Sequence, residues 1–121
     1  MEKNKYKNGS HEKLIAWRMA DELDFLVQNI LRIIPRTEYK IKSQIDSASD
    51  SIGSNIVEGY YSNSTAEYIR FLRYARRSCG ELQERIRRLL RKNYLKEVKY
   101  NEVNSMCIRT GYIIDRLINS L

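Results

Sequence analysis

A chain of 121 residues, 42% hydrophobic and 31% charged, can bury roughly two-thirds of its unfolded surface in one core, which excludes intrinsic disorder. Two cysteines and one histidine are too few for a disulfide framework or a zinc module. The formal net charge of +7 suits a polyanionic partner or simply a well-solvated surface, and the placement of the charge must decide between them.

Glycine (5) and proline (1) are scarce, so the chain has few places to turn and its helices must be long. Residues 1–10 are polar and aperiodic and read as a flexible tail, with residues 11–121 forming a single domain. Residues 1–9 lack the apolar segment of a signal peptide, and no stretch approaches the roughly 20 apolar residues of a membrane span. The cytoplasm is the expected location.

Ser10 is placed to cap a first helix over 11–34, with Glu12 in its first turn. Leu14, Trp17, Ala20, Leu23, Val27, Ile30, Leu31 and Ile34 recur at spacings of three and four along it. Pro35 ends that helix, because it lacks an N–H and disfavours helical geometry in the residue before it. Thr37 is the next candidate cap. Ile41, Ile45, Ala48, Ile52 and Ile56 then form a narrow apolar seam on a second helix whose remaining positions are mostly small and polar. Such a helix is weak alone and must be held by packing. Gly59 suits the left-handed position that closes a helix.

Ser64-Thr65-Ala66-Glu67 has the pattern of a capping box and opens a third helix. Its apolar face is Tyr68, Leu72, Ala75, Cys79, Leu82, Ile86, Leu89 and Leu90, and Asn93 is the stop. Residues 94–98 connect to a fourth helix from about Lys99, with Val103, Met106, Cys107, Thr110, Ile113, Ile114, Leu117 and Leu121 on its face. Four amphipathic helices with connections this short fold back on one another as an all-α, antiparallel, up-down-up-down four-helix bundle. Cys79 and Cys107 fall on apolar faces and read as buried, reduced core residues.

Residue types for catalysis are largely absent. His11 has no second histidine or cysteine near it at ligand spacing. The Glu-x-x-His pairs of di-iron bundles are missing, as is any Gly-rich phosphate loop. A helical ribonuclease pattern, with arginine shortly before histidine, is excluded because no histidine follows position 11. The expectation is a non-enzymatic protein without metal or cofactor.

Two constellations remain. Asn55 and Glu58, three residues apart beside Gly59, suit a polar network reaching Ser78 and Glu81 on the third helix; the other reading is a binding site at the bundle end. The third helix carries the clearest charge feature. From Ser64 to Lys92 it holds nine basic residues against three acidic ones. At about 100° per residue, Arg70, Arg73, Arg77, Arg88 and Arg91 fall in a sector roughly 60° wide, opposite the apolar face. Arginine grips phosphate with two parallel hydrogen bonds, so the stripe suits a nucleic-acid backbone. The bland reading is a solvated face in which Glu81 and Glu84 pair with Arg77, Arg85 and Arg88. Tyr60, Tyr61 and Tyr74 offer stacking surfaces or rim packing.

These residues also carry a resemblance. Leu14-x-x-Trp17-x-x-Ala20-x-x-Leu23, Pro35-x-x-Glu38-Tyr39, Ser43-Gln44-Ile45, Ser51-Ile52-x-Ser54-Asn55-Ile56-x-Glu58-Gly59 and Glu67-Tyr68-x-x-Phe71-Leu72-x-x-Ala75-x-x-Ser78-x-x-Glu81-Leu82 resemble a family of bacterial four-helix bundle proteins. That family includes proteins encoded in intervening sequences of 23S ribosomal RNA genes and the accessory variability protein of diversity-generating retroelements. The resemblance implies a four-helix protomer in a ring-shaped homopentamer. For the retroelement branch it also implies a basic surface that engages nucleic acid and a reverse transcriptase partner. The sequence departs from the family where relatives tend to carry Arg-Arg-Ala-Ala, since it has Asp46-Ser47-Ala48-Ser49 followed by Asp50. Any nucleic-acid contact here falls to the third-helix stripe. The competing expectation is a scaffold that acts through protein–protein contacts and binds no nucleic acid.

The register of the second helix is testable. Ile52→Asp puts an unpaired charge into the central seam and should abolish the cooperative thermal transition; a native-like melt for that variant would show that the register is wrong.

Overall fold

In the computed structural model, which describes residues 10–121, the first expected helix is split. Ser10 caps it, its hydroxyl accepting the Glu12 N–H at 3.2 Å, but the capped segment is a three-residue 3-10 turn, His11–Lys13. Leu14 is extended (φ −72°, ψ 126°), so the α-helix itself, α1, runs Ile15–Ile33. The expected tail, apart from Ser10, lies outside the described residues. At the other end Ile34 is extended (φ −81°, ψ 135°), as a residue before proline must be.

Thr37 does not cap the second helix. It sits inside another 3-10 turn, Arg36–Glu38, that leads directly into α2, Tyr39–Tyr60. The capping position falls to Glu38, which makes no capping hydrogen bond. Its carboxylate is held instead by Lys92 Nζ at 3.2 Å and the Tyr94 hydroxyl at 3.1 Å. A contact made across the bundle has displaced a local one.

Gly59 is also not where a helix stop would put it. It is buried inside the last turn of α2, and a Cβ there would stand 2.9 Å from Tyr68 Cδ1 and 3.0 Å from Phe71 Cβ. The glycine serves a close helix–helix approach rather than a left-handed turn. The chain leaves α2 through Tyr61, whose N–H donates to Val57 O at 3.1 Å, and Ser62, whose hydroxyl donates to Gly59 O at 2.6 Å.

Ser64 caps α3, Thr65–Arg91, by accepting the Glu67 N–H at 3.0 Å. Only this half of the capping box forms, because the Glu67 carboxylate turns forward to Arg70. Asn93 ends α3 in the left-handed region at φ 64°. The Tyr94 N–H donates to Leu89 O and the Asn93 N–H to Leu90 O, each at 3.0 Å, which is the bond pair of a Schellman stop. The last helix, α4, spans Glu97–Ser120 and so starts two residues before Lys99.

Each helix packs on its chain neighbours and α4 returns to α1, which leaves α1 and α3 on opposite corners of a square. Connections at 34–38, 61–64 and 92–96 are too short to run back along a helix of about 30 Å, so packed consecutive helices are antiparallel. Leu23 and Val27 from α1, Ile45, Ile52 and Ile56 from α2, Leu72, Leu82 and Leu89 from α3, and Val103 and Ile114 from α4 meet fully buried in one core. Leu95, in the last connection, joins them. Leu121 does not, being 46% exposed beyond the end of α4. Cys79 and Cys107 are free and buried, and burial pushes their thiols up to about 11 and about 12, so both stay protonated at neutral pH.

Two measurements check this packing. Gly59→Ala should cost about 1–3 kcal/mol in chemical denaturation, because neither the Tyr68 ring nor the Phe71 Cβ can retreat easily. Gly80→Ala, in open space on α3, should gain up to ~1 kcal/mol from helix propensity alone. The Glu38 tie makes a pH prediction. Hydrogen bonds from Lys92 and then Tyr94 hold its carboxyl below the ordinary 4.5. Its contribution to stability is complete above that value and is lost as pH falls through the lower folded value. The wild-type Tm should therefore drop more steeply than that of Glu38→Gln as the pH is lowered below about 4.5; parallel curves would count against the tie.

Candidate nucleic-acid interface

The buried face of α3 fixes what its opposite face presents. With Leu72, Ala75, Cys79, Leu82, Ile86 and Leu89 turned into the core, Arg70, Arg73, Arg77, Arg88 and Arg91 are all exposed on the outward side. From Arg70 to Arg91 the stripe is about 32 Å long at roughly 1.5 Å per residue.

The arginines differ in how they are engaged. Arg70 is gripped on three sides. Its guanidinium donates to both Glu67 carboxylate oxygens, at 3.2 and 2.7 Å, and to the Tyr74 hydroxyl at 3.0 Å. It also lies over the Phe71 and Tyr74 rings, 5.1 and 5.6 Å from their centroids. Arg77 lies over the same Tyr74 ring at 5.6 Å. Among the described residues, Arg73, Arg77, Arg85, Arg88 and Arg91 form no ion pair.

The pairing expected of Glu81 and Glu84 takes a different form. Glu84 binds Arg87, at 2.6 and 3.0 Å, through the short three-residue spacing, and leaves Arg85 and Arg88 without it. Glu81 is exposed and has no partner among the described residues. Other cations of α3 are taken by neighbouring elements: Arg76 by Asp115 at 3.0 Å and Lys92 by Glu38. The hydrogen bonds to Arg70 and Arg87 lower the Glu67 and Glu84 carboxyls and raise both guanidinium groups, which remain charged at any working pH. Exposed pairs of this kind are weak and screened by salt, so they yield to a competing phosphate.

Glu81 and Glu84 also interrupt the stripe. Arg70, Arg73 and Arg77 form one cluster near the start of α3. Arg88 and Arg91 form the other, with Arg87 and Lys92 beside them around a shallow depression that also takes in Glu84. About 16 Å separate Arg77 from Arg88 along the helix.

The Asn55 motif divides into parts with separate tasks. The Asn55 amide donates to Ser51 O at 2.8 Å and to Ser51 Oγ at 3.0 Å. Ser51 Oγ lies 2.8 Å from Ser78 Oγ, which donates to Tyr74 O at 3.2 Å. The chain therefore crosses from α2 to α3 through two serines. Glu58, exposed and without a partner among the described residues, is outside it, and so is Glu81. Pattern alone could not single out Ser51, because only the fold sets it opposite Ser78.

The departure at Asp46-Ser47-Ala48-Ser49 has its own structural use. Asp46 accepts from Gln28 at 2.7 Å, Gln28 also reaches Asp24 at 3.3 Å, and buried Ser49 donates to Asp24 at 2.8 Å. These bonds stitch α1 to α2 in place of any basic contact surface there.

A feature missed in the sequence lies between α1 and α4. Phe25 points away from the core, 66% exposed, over an open groove of about 810 Å³ edged by Asp21, Glu22, Glu102, Met106 and Arg109. Val98, Ile108 and Tyr112 on α4 are also more than half exposed. The signal was present, since Phe25 falls outside the three-and-four spacing of α1.

Among the described residues, no group of three or more His, Cys, Asp or Glu side chains could hold a metal ion, and no helix is long and apolar enough to cross a membrane.

The sequence pattern of the 23S rRNA-intervening sequence protein family matches residues 12–116. The chain is also similar to a crystal structure, at 1.70 Å, of a protein of unknown function from the S23 ribosomal protein family of Bacteroides thetaiotaomicron. The two share 22% sequence identity with a TM-score of 0.81, over 86% of this chain and 98% of that one; at that identity the likeness is one of fold. No curated protein matches.

Proposed function

The chain belongs to the 23S rRNA-intervening sequence protein family, and we propose that it is a non-enzymatic, self-associating bundle that binds the phosphate backbone of RNA or DNA. One observation carries this reading. Arg73, Arg77, Arg88 and Arg91 share the outward face of α3, and no carboxylate among the described residues is paired with any of them. Four unpaired guanidinium forks along one helix supply charge and bidentate geometry for phosphates, without reading base identity.

Self-association is supported by the α1–α4 side. Phe25 is exposed over the α1–α4 groove that Leu26 and Met106 also line, and apolar surface of this kind suits a protein contact. A second copy covers it in this reading, within the ring-shaped pentamer that the resemblance implies. Because α1 and α3 occupy opposite corners, contacts through α1 leave the arginine face open. The same apolar side favours the second reading, a scaffold that works through protein contacts alone.

A fluorescence-anisotropy titration separates the two. With five arginines each reaching a phosphate, the logarithm of affinity should fall with the logarithm of salt at a slope of about −3.5 for a single strand or about −4.5 for a duplex. An Arg73→Glu, Arg77→Glu, Arg88→Glu variant of unchanged oligomeric size should bind at least ~10-fold more weakly and lose about 2–3 units of that slope. A wild-type protein that binds neither a structured RNA nor a single-stranded DNA at low salt would sink the nucleic-acid reading and leave the scaffold.

A further inference from the structure

The arginine stripe is not uniform along its length: among the described residues, the guanidinium groups of α3 that lie over aromatic rings are Arg70 and Arg77, both in its first cluster. Around the end of the bundle where α2 passes into α3, Tyr61 packs edge-to-face on Tyr60 at 4.9 Å between centroids, and Tyr60 meets Tyr68 at 6.3 Å. Tyr68 and Phe71 both close over Gly59, and Phe71 packs edge-to-face on Tyr74 at 6.0 Å. Tyr74 in turn carries Arg70 and Arg77 against its ring. The rings thus form a continuous band from Tyr61 to the first arginine cluster.

Within that band Tyr61 is both exposed and fixed. It is 57% exposed. Its ring meets His11 at 5.7 Å and 78° as well as Tyr60. Its hydroxyl accepts the His11 N–H at 3.2 Å and lies 3.1 Å from His11 Nδ1. Two edge contacts and a hydroxyl anchored on another element hold the ring in place, so a flat ligand stacking on it would lose little side-chain freedom. Tyr39, at the opposite end of the bundle, is 75% exposed but has no ring contact among the described residues. Tyr112, 58% exposed, is touched by Arg116 on its own helix; Tyr61 differs in being held between two rings and by its hydroxyl, at the start of the band that leads to the first arginine cluster.

We propose that this end binds an unpaired nucleotide, with its base stacked on Tyr61 and the adjoining phosphates led to Arg70, Arg73 and Arg77. This rests on the phosphate-binding reading of α3 and narrows it to one class of ligand: strands whose bases are free to leave their own stack. Inside a duplex both faces of every base are occupied, so a duplex can use the arginines along its length and offers Tyr61 no more than its two end pairs. Stacking on an aromatic side chain is sequence-tolerant and is lost when the ring is removed. Tyr74 acts differently. Its ring is occupied by Arg70 and Arg77, which makes it a positioning residue for those two guanidinium groups rather than a second stacking surface.

The test compares the full chain and its variants on an unstructured 12-nucleotide single strand and on the same strand annealed to its complement, at one low salt concentration. Wild type should prefer the single strand. Tyr61→Leu should weaken single-strand binding about tenfold and leave duplex binding and the salt slope as they were. Tyr61→Phe, which keeps the ring, should bind close to wild type, and Tyr39→Leu should change nothing. Circular-dichroism melts establish that each variant is folded. The proposal is overturned by equal wild-type affinity for both ligands, by a Tyr61→Leu variant that binds the single strand undiminished, or by parallel losses on strand and duplex. Failure of wild type to bind either ligand would instead overturn the reading of the arginine face itself, and this proposal with it.

Discussion

A methyl group on Gly59 would stand about van der Waals overlap from the Tyr68 ring, at 2.9 Å, and the closeness of α2 to α3 that this measures governs much of the bundle. Apart from its isoleucine seam, α2 is rich in small polar residues with little helix propensity of their own. Its helical state is held by neighbours rather than by local preference. Small side chains let α3 approach, and the approach brings Ser51 within 2.8 Å of Ser78. The hydrogen-bond chain from Asn55 through both serines fits the rotation of α3 that its buried face sets. That rotation sends six apolar side chains inward and the arginines outward.

Closeness has a cost as well. The Tyr68 hydroxyl is buried with no hydrogen-bond partner among the described residues, and burial raises its pKa. An unsatisfied hydroxyl is unfavourable by itself. It is tolerated here because the ring that carries it fills the space Gly59 leaves and links the tyrosines at the bundle end to Phe71.

Charge is sorted by the same geometry. Carboxylates from outside α3, Asp115 and Glu38, neutralise the cations on its flank and at its end. On the outward face Glu67 is committed to Arg70 and Glu84 to Arg87, which leaves Arg73, Arg77, Arg88 and Arg91 with no ion pair among the described residues. What remains is a helix face with two basic clusters and an acidic break between them, on the corner of the bundle diagonal to α1. The exposed Phe25 on α1 and the arginines of α3 therefore lie on opposite corners of the bundle.

Sequence periodicity alone determined the number of helices, their apolar registers and most of the core. Helical side chains repeat every three or four residues whatever packs against them. Local chemistry likewise placed the stop at Pro35, the cap at Ser64 and the break at Asn93, because each acts on its own backbone. Two positions that read differently in the fold depend on another element. Gly59 looked like a helix stop until Tyr68 and Phe71 were set against it, and Thr37 looked like a cap until Lys92 and Tyr94 drew Glu38 across the bundle. The same holds for the site. The sequence put five arginines on one face, and local pairs within α3 take Arg70 and Arg87, but the pairing of Arg76 was decided by Asp115, thirty-nine residues away, and that of Lys92 by Glu38. Pairing across helices follows from their rotation and axial offset, and only the packed core sets those.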